Sequence, residues 1–196
     1  RPWAVLHVQH DDRRVIVTAA PRGREPTWGG FLPQFLGYEI CQRILQILTD
    51  HEPFPYLDEA ASAVLAEERA LLRPLLRPGS GGIAASKDEI RWWTFAGGRI
   101  NATLRYALEE LDQDWKIVPD NFAVRVYGAD LTPAAFRASL APLRDPDFWA
   151  DTRLWNDIIS TLPNYRLSKF QPLMPDWVER EVVGRYLLDV AGAQQW

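Results

Sequence analysis

The chain has 196 residues, with 22 lysines and arginines against 26 aspartates and glutamates, 47% hydrophobic residues and a formal charge of −4. That length suits one domain or two small ones with a real core, and the mix is globular rather than disordered. The acidic balance argues against an autonomous nucleic-acid binder, whose affinity rests on neutralising phosphates, and leaves room for a local basic patch.

In chain order, "WAVLHVQH" and "RRVIVTAA" around Asp11-Asp12 read as a β-hairpin. "PRGREPTWGG" is a loop by composition. "PQFLGYEICQRILQILTD" reads as a helix, with Phe35, Leu36, Ile40, Ile44, Leu45 and Leu48 forming an apolar stripe. Pro53 and Pro55 break it. Asp58 is placed to cap a second helix through Ala60, Val64, Leu65 and Leu72. "RPGSGGIAASKDE" has linker composition, so residues 77–88 read as flexible, either an internal loop or a join between two lobes. "EIRWWTFA" is a strand. Gly97-Gly98 ends it, and "RINATLRYALEEL" follows as an amphipathic helix with Ile100, Leu104, Leu108 and Leu111 on one face. "FAVRVYGA" is the next strand. Thr132-Pro133 is a cap and first-turn pair for another helix. Two further helices close the chain, one over about 152–161 and one within "PDWVEREVVGRYLLDVAG". The expected class is α+β: the N-terminal β-hairpin and further strands form a mostly antiparallel sheet packed by several helices.

Nine tryptophans call for an aromatic core, a binding surface, or both. The single cysteine, Cys41, falls in a helix-like apolar run and reads as a buried thiol, which fits a reducing, cytoplasmic compartment. No apolar run approaches the ~20 residues that span a bilayer, so no membrane partner is expected. The chain begins at Arg1-Pro2-Trp3 without a methionine, and is expected to be a piece cut from a longer polypeptide.

Motifs for catalysis are missing. His7, His10 and His51 lack zinc-ligand spacing. There is no GxxxxGK[ST] loop, GxSxG elbow or Cys-His pair. What remains is aromatic and basic. Arg22, Arg24 and Trp28 share a loop with three glycines: glycine lets a backbone approach a phosphate, arginine supplies a charged fork, and tryptophan offers a face to a base. The alternative is a plain surface loop whose Trp28 tucks under the core. In "RWWTFAGGRIN", Trp92 and Trp93 must point to opposite faces of the strand, so at least one is core and only the other is free for a ligand. The following helix start near Arg99 and Asn101 offers free N–H groups to an anion, or is simply a helix start.

"WAVLHV…RRVIVTAAPRGREPTWGG", "RWWTFAGGRINATL" and "LSKFQPLMPDWVEREVVGRYLLD" together resemble, in order and over most of the chain, the C-terminal region of large helicase-related (Lhr-like) superfamily 2 DEAD/DEAH-box helicases. The resemblance implies a single accessory domain over residues 1–196, following motor and winged-helix domains. Those relatives move along single-stranded DNA at the expense of ATP. The implied cofactors, ATP and magnesium, belong to the parent motor, and none is expected in this segment. The resemblance makes Arg22, Arg24, Trp28, Trp93, Arg99, Asn101 and Lys169 the candidates for strand contact. The implied partners are single-stranded DNA, ahead of RNA, and the motor and winged-helix domains. "GGFLPQFLGYEI" is more apolar than the founding family leads one to expect. The competing expectation is a docking domain with no direct contact to nucleic acid.

Overall fold

The computed structural model describes residues 3–9, 11–21, 33–79, 81–129, 131–163, 165, 167 and 170–196. They fall into two compact units, Arg1–Leu32 and Pro33–Trp196. The first contains the expected hairpin, β1 (Trp3–Gln9) and β2 (Arg14–Ala19), paired antiparallel with an irregularity between Val5 and His7. Asp11, Asp12 and Arg13 make the turn, with Arg13 at φ +51°. Trp3, Val5, Leu6, Val15, Ile16 and Val17 are all exposed.

The second unit is an α+β domain around a four-stranded antiparallel sheet in the order β3-β4-β6-β5. The strands are β3 (Gly82–Ala85), β4 (Ile90–Trp93), β5 (Lys116–Pro119) and β6 (Ala123–Tyr127). Helix α1 (Tyr38–Thr49) precedes them, followed by α2 (Glu59–Leu72). Helix α3 (Gly98–Leu111) links the two β-hairpins of the sheet. The chain then runs through α4 (Pro133–Ser139), α5 (Pro146–Ala150), α6 (Thr152–Thr161), α7 (Asp176–Leu187) and α8 (Val190–Gln195). The expected caps form: Asp58 accepts from the Ala61 amide at 2.8 Å and Thr132 from that of Ala135 at 3.1 Å.

Side chains alternate across a strand, and the alternation splits the sheet cleanly. Ile90, Ile117, Val124 and Val126 are buried on one face beneath α3 and the C-terminal helices. Trp92 joins them, packing edge-on to Phe136 and against Trp196. Trp149 and Trp155 stack deeper in the same core, with centroids 5.7 Å apart and planes 11° apart. A second, smaller core gathers Cys41, Leu45, Leu76 and Phe95, with Trp93 packed on it. Most of the described tryptophans therefore build cores, while Trp3 and Trp177 lie exposed.

Two expectations change. The described residues of 77–88 do not form a linker. Arg77 bridges to Gly81, β3 pairs along its whole length with β4, and Ile83 packs on the main core opposite Trp92. One apolar side chain in a glycine-rich run suffices to hold this edge strand. Helix α1 begins at Tyr38 rather than near Pro33, and Ile40, assigned to its buried stripe, is exposed. Residues 33–37 instead run across the start of α3.

Candidate nucleic-acid interface

The other face of the sheet is half open. Register places Arg91 opposite Arg125, Trp93 opposite Ala123, and Lys116 opposite Tyr127. Odd positions in β4 and β6 therefore bring two arginines, a tryptophan and a tyrosine onto one surface, with Lys116 exposed beside them. Like charges directly across a ladder repel, and this pair shares a single carboxylate. Glu89 accepts from Arg91 Nε at 2.9 Å and from the Tyr127 hydroxyl at 2.8 Å. Burial pushes the Glu89 carboxyl up, but the bonds from Tyr127 and Arg91 and the charges of Arg91 and Arg125 outweigh it and hold the group below its ordinary value. The bond to Glu89 raises the Tyr127 phenol, with burial adding to it. Nε of Arg125 is buried without a hydrogen-bond partner. Among the described residues, Arg91, Arg125 and Lys116 thus bring three cations to this face, and Glu89 is the carboxylate that Arg91 and Arg125 share.

Trp93 is half-buried, and its ring is already engaged. Phe95 stacks on it at 6.0 Å with planes 25° apart, and the Arg91 guanidinium lies 5.5 Å from a ring centroid. Such a cation–π contact is worth about 0.5–1 kcal/mol at an open site and orients the arginine. Trp93 therefore serves to position Arg91 more than to offer an empty face to a base. Neither tryptophan of the pair is free: Trp92 belongs to one core and Trp93 to the other.

Arg99 and Asn101 do not form an anion site with it. Asn101 is fully buried. Its Oδ1 accepts from the Thr94 hydroxyl and its Nδ2 donates to the Asp120 carbonyl, both at 2.7 Å. It has no surface to give a strand. Arg99 is exposed, but its Nη2 donates to the carbonyls of Arg185 and Leu188, both at 2.6 Å, closing the C-terminal end of α7. The cavity beside the start of α3 is lined by Glu39 and Asp189 as well as Arg99, and two carboxylates there disfavour a phosphate.

Gly97-Gly98 answers to the chain itself. Gly97 sits at φ +85°, and a Cβ there would stand 2.7 Å from the Leu36 carbonyl. A Cβ on Gly98 would run into the Phe35 ring and approach Asn121 Oδ1 to 2.6 Å. The glycines let residues 35–37 lie across the helix start, where the Gly98 amide donates to the Leu36 carbonyl at 3.2 Å. Phe95 nearby takes φ +49°, a strained setting for a side chain that costs about 1 kcal/mol or more. Packing against Trp93 and Phe122 holds it there.

Arg22, Arg24, Trp28 and Lys169 lie outside the described residues. The structure brings together Trp93 with Arg91, Arg125, Tyr127 and Lys116, four residues that sequence reasoning passed over. Their signal was available: "IRWW" and "AVRVY" both alternate, so their polar positions share a face once the strands pair. No protein-family model, curated protein or solved structure matches the chain. Among the described residues no helix is long and apolar enough to cross a membrane, and no three His, Cys, Asp or Glu side chains gather as a metal site.

Proposed function

We propose that this chain is a non-catalytic accessory module of an ATP-dependent DNA helicase or translocase. It contacts single-stranded DNA and buttresses the motor. The chain works in the cytoplasm, and ATP and magnesium act in the motor and not in this segment. The observation that carries the reading is the open sheet face, where Arg91 and Arg125 stand opposite each other and share only Glu89. A phosphodiester supplies the missing negative charge, and arginine forks suit its geometry. Because the Trp93 ring is engaged by its neighbours, backbone charge rather than base stacking supplies the affinity, and the contact is sequence-independent.

Fluorescence anisotropy of a labelled oligo-dT at low salt tests this. The Arg91→Gln/Arg125→Gln double variant should bind about ten-fold more weakly or worse, since each charge-assisted bond contributes about 1.5–3 kcal/mol. Glu89→Gln should bind more tightly than the parent chain. If the arginine variant keeps its fold and its full affinity, the sheet face is not the contact.

A second reading, a docking domain without nucleic-acid contact, is favoured by the hairpin β1–β2, whose apolar side chains are exposed along both strands. Interface cores are depleted in charge in the same way. It takes precedence if the chain shows no salt-sensitive binding to oligo-dT.

A further inference from the structure

Helix α2 carries Arg69; Arg73 caps its C-terminal end four residues on, and Arg77 follows after another four. A spacing of four keeps side chains on one helix face. Here they line a cleft of about 430 Å³ together with Thr49, from the end of α1, and His51, just beyond it. No carboxylate lines this cleft. Among the described residues, none of the three arginines forms an ion pair, whereas Arg91, Arg105 and Arg185 each have one.

Each arginine is held, yet each keeps donors in reserve. Arg69 donates through Nε to the Ile47 carbonyl at 2.9 Å and through Nη1 to the Glu52 carbonyl at 3.2 Å. Its Nη2 is buried with no hydrogen-bond partner. Arg73 Nη2 lies 2.8 Å from His51 Nε2. A guanidinium only donates, so His51 Nε2 is the acceptor in this contact. Arg77 uses one donor on the Leu76 carbonyl at 3.1 Å. Asp50, next to His51, does not line the cleft: its Oδ1 accepts from the amides of His51 and Glu52, at 2.6 and 3.2 Å, and these bonds, with the charge of Arg69, lower its pKa. Asp50 acts on Arg69 but does not line the cleft, so three guanidinium groups on one wall still repel one another there, and a buried donor without an acceptor is an unmet demand. A tetrahedral oxyanion answers both at once, and the cleft falls in the size range of small-ligand sites.

We propose that the α1–α2 cleft is an oxyanion site that takes a phosphate group through Arg69, Arg73 and Arg77. It uses none of the charged residues of the sheet face and does not depend on that assignment. The same chemistry comes from two sources: a phosphodiester of a nucleic-acid backbone, or a free phosphorylated compound.

The test uses the 196-residue chain, with inorganic pyrophosphate and oligo-dT as separate probes. Pyrophosphate, compared with chloride at equal ionic strength, should shift the His51 ring signals in NMR spectra while those of His7 stay put. Arg73→Gln/Arg77→Gln should weaken pyrophosphate binding by about ten-fold or more. Arg185→Gln, at an exposed α7 residue paired with Glu181, should leave it unchanged. Loss of both probes in the cleft variant assigns the site to a nucleic-acid backbone, and loss of pyrophosphate alone assigns it to a smaller phosphorylated ligand. The proposal is overturned if neither probe moves the His51 signals, a result that needs no variant to fold. Pyrophosphate affinity unchanged in the folded cleft variant also overturns it.

Discussion

Asn101 shows how a residue that reads as functional is spent on structure. Its amide ties the end of β4, through Thr94, to the β5–β6 turn, through the Asp120 carbonyl, inside a site closed to solvent. Asn101→Ala removes both bonds, leaves the buried Thr94 hydroxyl only its longer bond to the Phe122 carbonyl at 3.3 Å, and opens a void in the core, a cost of about 3 kcal/mol. For a chain of this length that lowers the melting temperature by roughly 6–12 °C. A thermal melt should show the drop, and oligo-dT affinity measured well below the transition should not change. An unshifted melt combined with weakened binding would mean that Asn101 is accessible after all. Its burial was legible: Asn101, Leu104 and Leu108 lie at three- and four-residue spacing, on the stripe that faces the core. Polarity alone drew attention away from that spacing. The arginines of the α1–α2 cleft carried an equally plain signal, since 69, 73 and 77 repeat every four residues. By contrast, nothing local to Trp93 tells that Phe95 turns back on it, because that contact depends on a left-handed residue in the chain.

At the level of elements, the two strand pairs of the sheet differ in how visible they were. β4 and β6 have alternating, β-rich sequences and were read directly. β3 is weak in propensity, with one isoleucine among glycine and alanine, and it exists because β4 offers it a ladder. β5 ends in Pro119, which an edge strand tolerates. Tertiary pairing decided both, so their local sequence was silent. The link between Glu89, ahead of β4, and Tyr127, at the end of β6, is electrostatic and so depends on pH. The Glu89 carboxyl is held below its ordinary value of 4.5 in the folded chain. A depressed folded pKa gives stability that is present above the unfolded value and lost as pH falls through the folded one. The melting temperature of the parent chain should therefore exceed that of Glu89→Gln by a few degrees near neutral pH. The gap should close as pH drops below about 4.5. A gap that stays constant across this range would show that the carboxylate charge is not what ties the strands.

The whole molecule sets a limit on how any strand contact can work. With a net charge of −4, the chain as a whole repels a polyanion, and attraction comes only where cations cluster on one face. Such binding is weak and strongly salt-dependent. For single strands the logarithm of affinity falls with the logarithm of salt with a slope of about −0.7 per neutralised phosphate. Arg91, Arg125 and Lys116 supply three cations on the open sheet face, which gives a slope near −2 by that same rule. Removing the two arginines leaves Lys116, and the slope should fall to about −0.7. Should the α1–α2 cleft also hold a backbone phosphate, its three arginines would steepen the parent slope to about −4. The Arg73→Gln/Arg77→Gln variant would then return it to between about −2 and −3. Anisotropy titrations at several salt concentrations separate these cases without reference to absolute affinity. A slope near zero in the parent chain would remove phosphate neutralisation from the picture. The exposed apolar hairpin β1–β2 would then be the surface through which this chain acts, as a docking element.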